Sequence, residues 1–366
     1  MKVTINREVL LGPLQVVNSV IERRQALPIL NNMLIVAEKD KITLMATDME
    51  VEVVTHIKNH VQIQGSTTIP ARKFIDICKA LPADTEIHLE VKDNRAQLKS
   101  GRSRFTLSTL PASDYPTLGG IQPQLKFCLP ASILKRLIGD TQFAMAHQDV
   151  RYYLNGMLVE LGEQRIRMVA TDGHRLALSD AEISTGVKEN TQIIIPRKGV
   201  MELWHMLPEH DVEVEVQISQ NHFRAAMQQQ EITTKLVDGK FPDYTRVIPA
   251  KGDKVVKTER DALRQGLART SILSNEKFRG VRLTLKKGMI QALAHNPDQE
   301  EAEEDIEVEY EGQEMEIGFN VVYLLDALDA IRSEKVQLEF SSPDKSCLIH
   351  AIGGDMSKYV IMPMRL

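Results

Sequence analysis

Hydrophobic positions along this chain switch between two periods. Over 8–24, 71–81, 131–145, 197–207, 260–273 and 320–331 apolar residues return every three or four positions, as Leu134, Leu137, Ile138 and Phe143 do. That spacing predicts six amphipathic helices. Between them, segments such as EIHLEVKD, VEVEVQIS and KVQLEF alternate residue by residue, the mark of strands with one covered face. Proline and glycine interrupt both patterns at LPASDYPTLGG and VDGKFPDYTRVIP, which read as turns.

The whole arrangement occurs three times. LMATDMEVEVV (44–54) and MVATDGHRLAL (168–178) share Ala-Thr-Asp; the step from Asp48 to Asp172 is 124 residues, and a second such step reaches Asn296 in ALAHNPDQEEAEEDIEV. TTIPARKFIDICKALP matches QIIIPRKGVMELWHMLP and, more faintly, EIGFNVVYLLDALDAI. The leading helices align as REVLLGPLQVVNSVIERR, PASILKRLIGDTQFAM and ERDALRQGLARTSIL. The fold class is therefore α+β, with three units of two helices and several strands each, over 1–124, 125–252 and 253–366. Each unit is large enough for its own core, unlike a short solenoid repeat.

Composition narrows the class. No run of about 18 apolar residues predicts a membrane span, and MKVTINREVLL does not read as a secretory signal. Cys78, Cys128 and Cys347 are odd in number, far apart and without a CxxC pair, which speaks against a disulfide framework or a zinc site and for a reducing, cytoplasmic setting. The net charge is −5, yet the six predicted helices carry 0, +2, +1, +1, +2 and −2 in order. If all six faced one way they would form a basic surface on an acidic body; alternatively, Lys and Arg are simply good helix residues.

Asp172, Gly173, His174 and Arg175 bring a carboxylate, an imidazole and a guanidinium together in four residues. The repeat provides a control. The first copy has Met49-Glu50 where the second has Gly173-His174, and the third has no His-Arg pair. The shared Asp is then turn chemistry, its carboxylate bonding backbone N–H groups. His56 and His60 have i, i+4 spacing but lie in a strand-like stretch, and no P-loop, GxGxxG, GxSxG or HExxH is present. The acidic run DQEEAEED (298–305) lacks the glycine-turned pattern of a calcium loop and reads as a solvated face or a dock for basic residues. No cofactor and no metal are expected.

ARKFIDICKALP, GRSRFTLSTLP, AHQDVRYYLNGML, ATDGHRLA, PRKGV, KLVDGKFPDY, ILSNEKFRGVRL, NPDQEEAEE, EIGFNVVYLLDAL and the terminal YVIMPMRL follow in order along the whole chain. Together they resemble the β subunit of bacterial DNA polymerase III, the sliding clamp. The resemblance implies three clamp domains per chain and a head-to-tail dimer closing a ring, helices inside and sheets outside. It implies a non-catalytic processivity factor that holds duplex DNA topologically and without sequence preference. Partners would be a second copy, the clamp loader, and replicative and other polymerases and repair proteins carrying short apolar peptide motifs.

By the same resemblance the DNA-facing residues are Arg24, Arg72, Lys79, Gln148, Tyr152, Tyr153, Arg197 and Lys198. For the two tyrosines a place in the core is the competing reading. At the dimer interface Phe105 and Leu107 pack on Ile272 and Leu273 of the other chain, while Lys73, Arg102 and Arg104 face Glu300, Glu301, Glu303 and Glu304. A peptide-binding groove falls to Leu154, Thr171, Gly173, His174, Arg175, Leu176, Pro242, Arg246, Val247, Ser346, Val360, Met362, Pro363, Met364, Arg365 and Leu366. Flexible Met surfaces in such a groove tolerate several peptide sequences. The stretch 341–358 departs from the family pattern: Asp344 stands where an apolar wall is expected, and Ser346 fits better. Two other classes of function compete with the clamp: a repeat-built adaptor that never encircles DNA, and a hydrolase using Asp172 and His174.

Overall fold

The computed structural model of the chain describes residues 1–22, 27–249, 252–353 and 356–365. Among them are six α-helices: α1 (Arg7–Asn18), α2 (Ala71–Ala80), α3 (Ala131–Gly139), α4 (Arg197–Met206), α5 (Arg260–Ser271) and α6 (Val321–Ala330). Their buried residues follow the stripe that the periodicity predicts: Ala71, Phe74, Ile75 and Cys78 in α2, and Leu263, Gly266, Leu267 and Thr270 in α5. Asn6 and Asn320 cap α1 and α6, their side-chain oxygens accepting from the N–H of Glu8 at 2.8 Å and of Val322 at 2.9 Å.

Two predicted helices are shorter than their periodicity. The first was expected over 8–24 but ends at Asn18, where the chain tightens and Ser19 N–H bonds the Val16 carbonyl. The third, expected over 131–145, ends at Gly139 and gives way to a single 3-10 turn, Gln142–Ala144. Thr141 drives the change: its hydroxyl donates to the Leu137 carbonyl at 2.6 Å, a side-chain bond that competes with the helix ladder.

The chain forms two compact units. The first comprises Met1–Ser132 and Lys198–Leu236. Its eight-stranded antiparallel sheet runs in the order Leu125–Pro130, Glu213–Ile218, His222–Met227, Gln230–Lys235, Val51–Lys58, Lys41–Thr47, Asn32–Glu38, Gly65–Pro70. A five-stranded sheet follows the order Val61–Ile63, Lys2–Asn6, Glu86–Lys92, Arg95–Ser100, Ser103–Ser108.

The second unit comprises Ile133–Arg197 and Val237–Leu366. Its eight-stranded sheet has the order Thr191–Pro196, Gly156–Gly162, Arg165–Thr171, Arg175–Glu182, Lys358–Ile361, Cys347–Ala351, Lys335–Phe340, Lys254–Glu259. A four-stranded sheet runs Glu301–Glu307, Met289–His295, Gly280–Lys286, Met315–Asn320.

Each eight-stranded sheet is therefore half one repeat and half the next. The seam lies between Gln230–Lys235 and Val51–Lys58 in one, and between Lys358–Ile361 and Arg175–Glu182 in the other. The two smaller sheets end instead on the outer strands Ser103–Ser108 and Glu301–Glu307.

Close packing in the second unit depends on Gly156. A Cβ there would stand 2.6 Å from the Ile195 carbonyl oxygen and 2.9 Å from Ile194 Cγ2, and the carbonyl belongs to a paired strand that cannot give way. Gly156→Ala should cost about 2 kcal/mol. Urea unfolding checks this: the midpoint should fall while the slope stays unchanged.

Candidate functional site

The turn around Asp172 is built by hydrogen bonds that two other turns repeat. Asp172 Oδ1 accepts from the N–H groups of His174 and Arg175 at 2.8 and 2.9 Å. Asp48 does the same for Glu50 and Val51 at 2.8 and 2.7 Å, and Asn296 for Asp298 and Glu300, both at 3.0 Å. The threonine before each Asp also recurs: Thr171 donates to the Arg175 carbonyl at 2.6 Å, and Thr47 to the Val51 carbonyl at 2.8 Å. Gly173 takes φ 88, and Met49 holds the corresponding φ 78. Asp172 Oδ2 accepts from Arg175 Nε at 3.1 Å, so both carboxylate oxygens serve the turn. That leaves the hydrolase reading without its acid or base.

Beside this turn lies a cavity of about 120 Å³. Leu154, Leu176, Tyr244 and Val360 belong both to its wall and to the hydrophobic core beneath. Pro242 and Val247 close one side, Met362 another, and Thr171, Gly173 and Arg175 the rim nearest the turn. Nine of the groove residues expected from the sequence therefore meet around one hollow: Leu154, Thr171, Gly173, Arg175, Leu176, Pro242, Val247, Val360 and Met362.

Arg175 sits on this rim with most of its side chain covered. Only 13 % of its side chain is exposed. Besides Asp172 it donates to Asp326 Oδ2 at 2.5 Å and to the Phe143 carbonyl at 2.6 Å, and its guanidinium lies 4.4 Å from the Tyr323 ring centroid. Every nitrogen of the fork is engaged, so Arg175 fastens the cavity wall to α6.

Three lining residues were missed from sequence: Arg151, Asp243 and Tyr244. They sit inside the RYYLNG (151–156) and FPDY (241–244) segments, where no periodicity marks them. Tyr244 is anchored from below. Its hydroxyl donates to Glu160 Oε2 at 2.5 Å and accepts from Arg167 at 3.1 Å, while Arg167 is held by both oxygens of Asp180. Burial pushes the Tyr244 hydroxyl up to about 12, with the Glu160 carboxylate adding to the rise. Arg151 forks onto Asp149 at 3.0 and 2.8 Å and reaches the Asp172 carbonyl at 3.3 Å.

The remaining groove candidates are more dispersed. His174 is exposed, and its carbonyl accepts from Met362 N–H at 2.9 Å. Arg246 is exposed and pairs with Asp243 at 2.9 Å. Ser346 and Pro363 are half-buried outside the cavity lining, and Asp344 is exposed, accepting from Ser342 at 2.6 Å. Met364 and Arg365 line a different cavity. Leu366 and Arg24 lie outside the described residues.

Of the DNA-facing candidates, Arg72, Lys79, Gln148 and Tyr152 are exposed. Tyr153 packs partly against the core below the cavity. Arg197 donates to the Met145 carbonyl at 3.1 Å. Lys198 is bound by Glu22 at 2.6 Å and by Asp48, so its charge is already matched within the first unit.

The acidic run divides between two faces. In a strand successive side chains point to opposite faces. Glu301 and Glu303 are exposed on one face, whereas Glu304 shares the other with buried Ile306 and is bound by Arg269 of the same chain. Glu303 accepts from Gln291 at 2.5 Å, and Glu300 from Asn296 at 2.6 Å. Lys73, Arg102 and Arg104 are exposed; Phe105, Leu107 and Leu273 are half-buried; Ile272 is 74 % exposed.

Comparison with known proteins decides the family. Residues 1–119, 128–243 and 245–365 match the N-terminal, central and C-terminal domains of the DNA polymerase III beta subunit. The chain belongs to the DNA polymerase III β subunit family. It is 51 % identical to the beta sliding clamp of Pseudomonas aeruginosa and 48 % identical to that of Escherichia coli, each over the full length of both chains. A crystal structure of the Pseudomonas aeruginosa DNA polymerase III subunit beta aligns over all of both chains with a TM-score of 0.97 at 51 % identity. A Bartonella birtlesii sliding clamp bound to griselimycin aligns as fully, with a TM-score of 0.97 at 37 % identity. As in that family, the chain is a non-catalytic subunit of the polymerase; two copies encircle duplex DNA and tether the polymerase to it. No helix among the described residues is long and apolar enough to cross a membrane.

The Arg151 fork gives a direct check on the rim of the cavity. Its hydrogen bonds hold the Asp149 carboxyl at about 2. In a carbon-detected NMR titration the Asp149 midpoint should lie at about 2, and in Arg151→Ala, which keeps the backbone N–H bond, it should rise toward the usual carboxylate range.

Proposed function

We propose that ring closure repeats, between two copies, the seam that already joins repeats within one chain. The observation that carries this is the strand order. Four strands of one repeat meet four of the next at Gln230–Lys235 with Val51–Lys58, and again at Lys358–Ile361 with Arg175–Glu182. The edges Ser103–Ser108 and Glu301–Glu307 are the two halves of a third seam. Repeat bounds at 124/125 and 252/253 fit this division.

The two internal seams supply a register. Ile232 stands opposite Val53 and Glu231 opposite Val54; Tyr359 stands opposite Ala177 and Lys358 opposite Leu178. The hairpins closing at Met227–Gln230 and Ser100–Ser103 have equal two-residue turns, so Phe105 matches Ile232 and Arg104 matches Glu231. Glu301 pairs with His295 as Leu176 pairs with Thr171 and Glu52 with Thr47. Transferring the register puts Phe105 opposite the partner's Ala302, and Arg104 opposite the partner's Glu303. Aromatic on alanine repeats Tyr359 on Ala177.

A second likeness supports the apolar contact. Phe143 rests against Tyr359 with ring centroids 5.9 Å apart. Counted from the starts of α3 and α5, Ile272 is the counterpart of Phe143, and Phe105 of the partner is the counterpart of Tyr359. Ile272 and Leu273 then gain the cover they lack in a single copy. That burial provides affinity, while Arg104, Arg102 and Lys73 facing Glu301 and Glu303 select the correct edge. Glu304 is left to Arg269.

Within this reading, the cavity of Leu154, Leu176, Pro242, Val247, Val360 and Met362 takes apolar side chains of partner peptides. Arg72, Lys79, Gln148 and Tyr152 face DNA, through few contacts of a kind that permit sliding. The setting is the bacterial cytoplasm.

Arg104→Glu and Glu303→Arg should each shift the dimer toward monomer in sedimentation velocity, by tenfold or more in dissociation constant per chain pair. An equimolar mixture of the two variants should restore dimers, since one seam is then wild type and the other has its charges exchanged. Dimers unchanged in both single variants would reject the register.

A further inference from the structure

The two seams inside the chain share a fastening that the outer seam lacks. At the first, Asp48 Oδ1 holds its own turn while Oδ2 pairs with Lys198, the second residue of α4. Lys198 belongs to the following repeat, and only 7 % of the Asp48 side chain is exposed. At the second, Asp172 Oδ2 pairs with Arg175, and Arg175 with Asp326, the sixth residue of α6 in the following repeat. In both, the carboxylate oxygen that the turn does not need ties the turn to the second helix of the next repeat, directly or through an arginine. Ion pairs sheltered from water in this way are little screened by salt.

The third copy of the turn carries Asn296. Its Oδ1 accepts from the N–H groups of Asp298 and Glu300, both at 3.0 Å, as the aspartate oxygens do in the other copies. In place of a second oxygen it has Nδ2, which donates to Glu300 Oε2 at 2.6 Å. The helix that meets this turn across the outer seam is α2 of the partner. Aligned with α4 from the first residue, α2 places Arg72 where Lys198 stands. Gly199 and Met206 are buried on α4, whereas their counterparts on α2, Lys73 and Ala80, are exposed, so this face of α2 is uncovered in a single chain. A guanidinium and an amide N–H are both donors, and the pair that fastens the first seam has no acceptor here. The acid nearest the turn is Glu300, which is exposed and has more rotamer freedom to lose than a turn-held Asp.

We propose that Asn296 is the residue that keeps the joint between copies separable. The proposal rests on the third seam described above. The internal seams carry Asp at this position and are fastened; the seam between copies carries an amide and is not, so a ring that opens parts there first. Apolar and charged contacts along the edges decide whether two copies meet, and position 296 sets how fast they separate.

The test is subunit exchange in the full-length dimer, followed by energy transfer after donor-labelled and acceptor-labelled dimers are mixed. Asn296→Asp supplies the missing oxygen and keeps the turn, since Asp48 and Asp172 make the same turn. It is combined with Glu300→Gln so that the new carboxylate does not face the one Asn296 now holds, and Glu300→Gln alone is the reference. Relative to that reference, exchange should slow about tenfold, and the slowing should vanish when Arg72→Met is added to both proteins. No slowing, while Arg104→Glu still weakens the dimer, overturns the proposal and leaves the third seam standing. Slowing that persists with Arg72→Met also overturns it, because the gain then comes from another contact. If neither Asn296→Asp nor Arg104→Glu changes exchange, the proposal and the third seam fall together.

Discussion

An antiparallel strand at the edge of a sheet presents a row of N–H and C=O groups that only another strand satisfies fully. The architecture of this chain follows from that constraint. Within the chain two pairs of such edges are used up by joining neighbouring repeats into eight-stranded sheets. The edges Ser103–Ser108 and Glu301–Glu307 differ in sequence from the internal seams in the way an intermolecular seam requires. Where Val53, Val54, Ala177 and Leu178 make the internal edges apolar, Glu301 and Glu303 make the outer one acidic and Arg104 makes its mate basic. Like edges then repel, which protects a lone chain from pairing with the wrong strand.

The groove grows out of the same scaffold. An Asx turn that is merely structural in the first repeat becomes, in the second, the place where Gly173 opens room beside Arg151 and Arg175 reaches back to α6. The cavity floor is core rather than loop: Leu154, Leu176 and Val360 are each under 3 % exposed, and Tyr244 is pinned by Glu160 and Arg167. A hollow with such walls is shaped before any peptide arrives, so less order is lost on binding.

Much of this was legible in the sequence, for local reasons. Helical stripes, strand alternation and the Asp48, Asp172 and Asn296 turns are set by neighbours within a few positions. The triplication turned one ambiguous tetrapeptide into a turn by comparison with its copies. What escaped reading was set by distant partners. Asp326, 151 residues from Arg175, converts an apparent recognition residue into a fastener. Glu22 and Asp48 neutralise Lys198, which looks like a free cation in PRKGV. The block of four glutamates conceals the period of two that sends Glu304 inward to Arg269, and nothing in the C-terminal run marks Met362 and Met364 as belonging to different cavities.

The central claim is that two copies are joined by a third seam in the register of the first two. The most direct measurement is disulfide capture with Phe105→Cys/Ala302→Cys in a Cys128→Ser background, read on a non-reducing gel. The account predicts a covalent dimer on mild oxidation, and none when Phe105→Cys is combined instead with Glu304→Cys, two residues along the strand. No cross-link between positions 105 and 302, or preferential capture between 105 and 304, would contradict it.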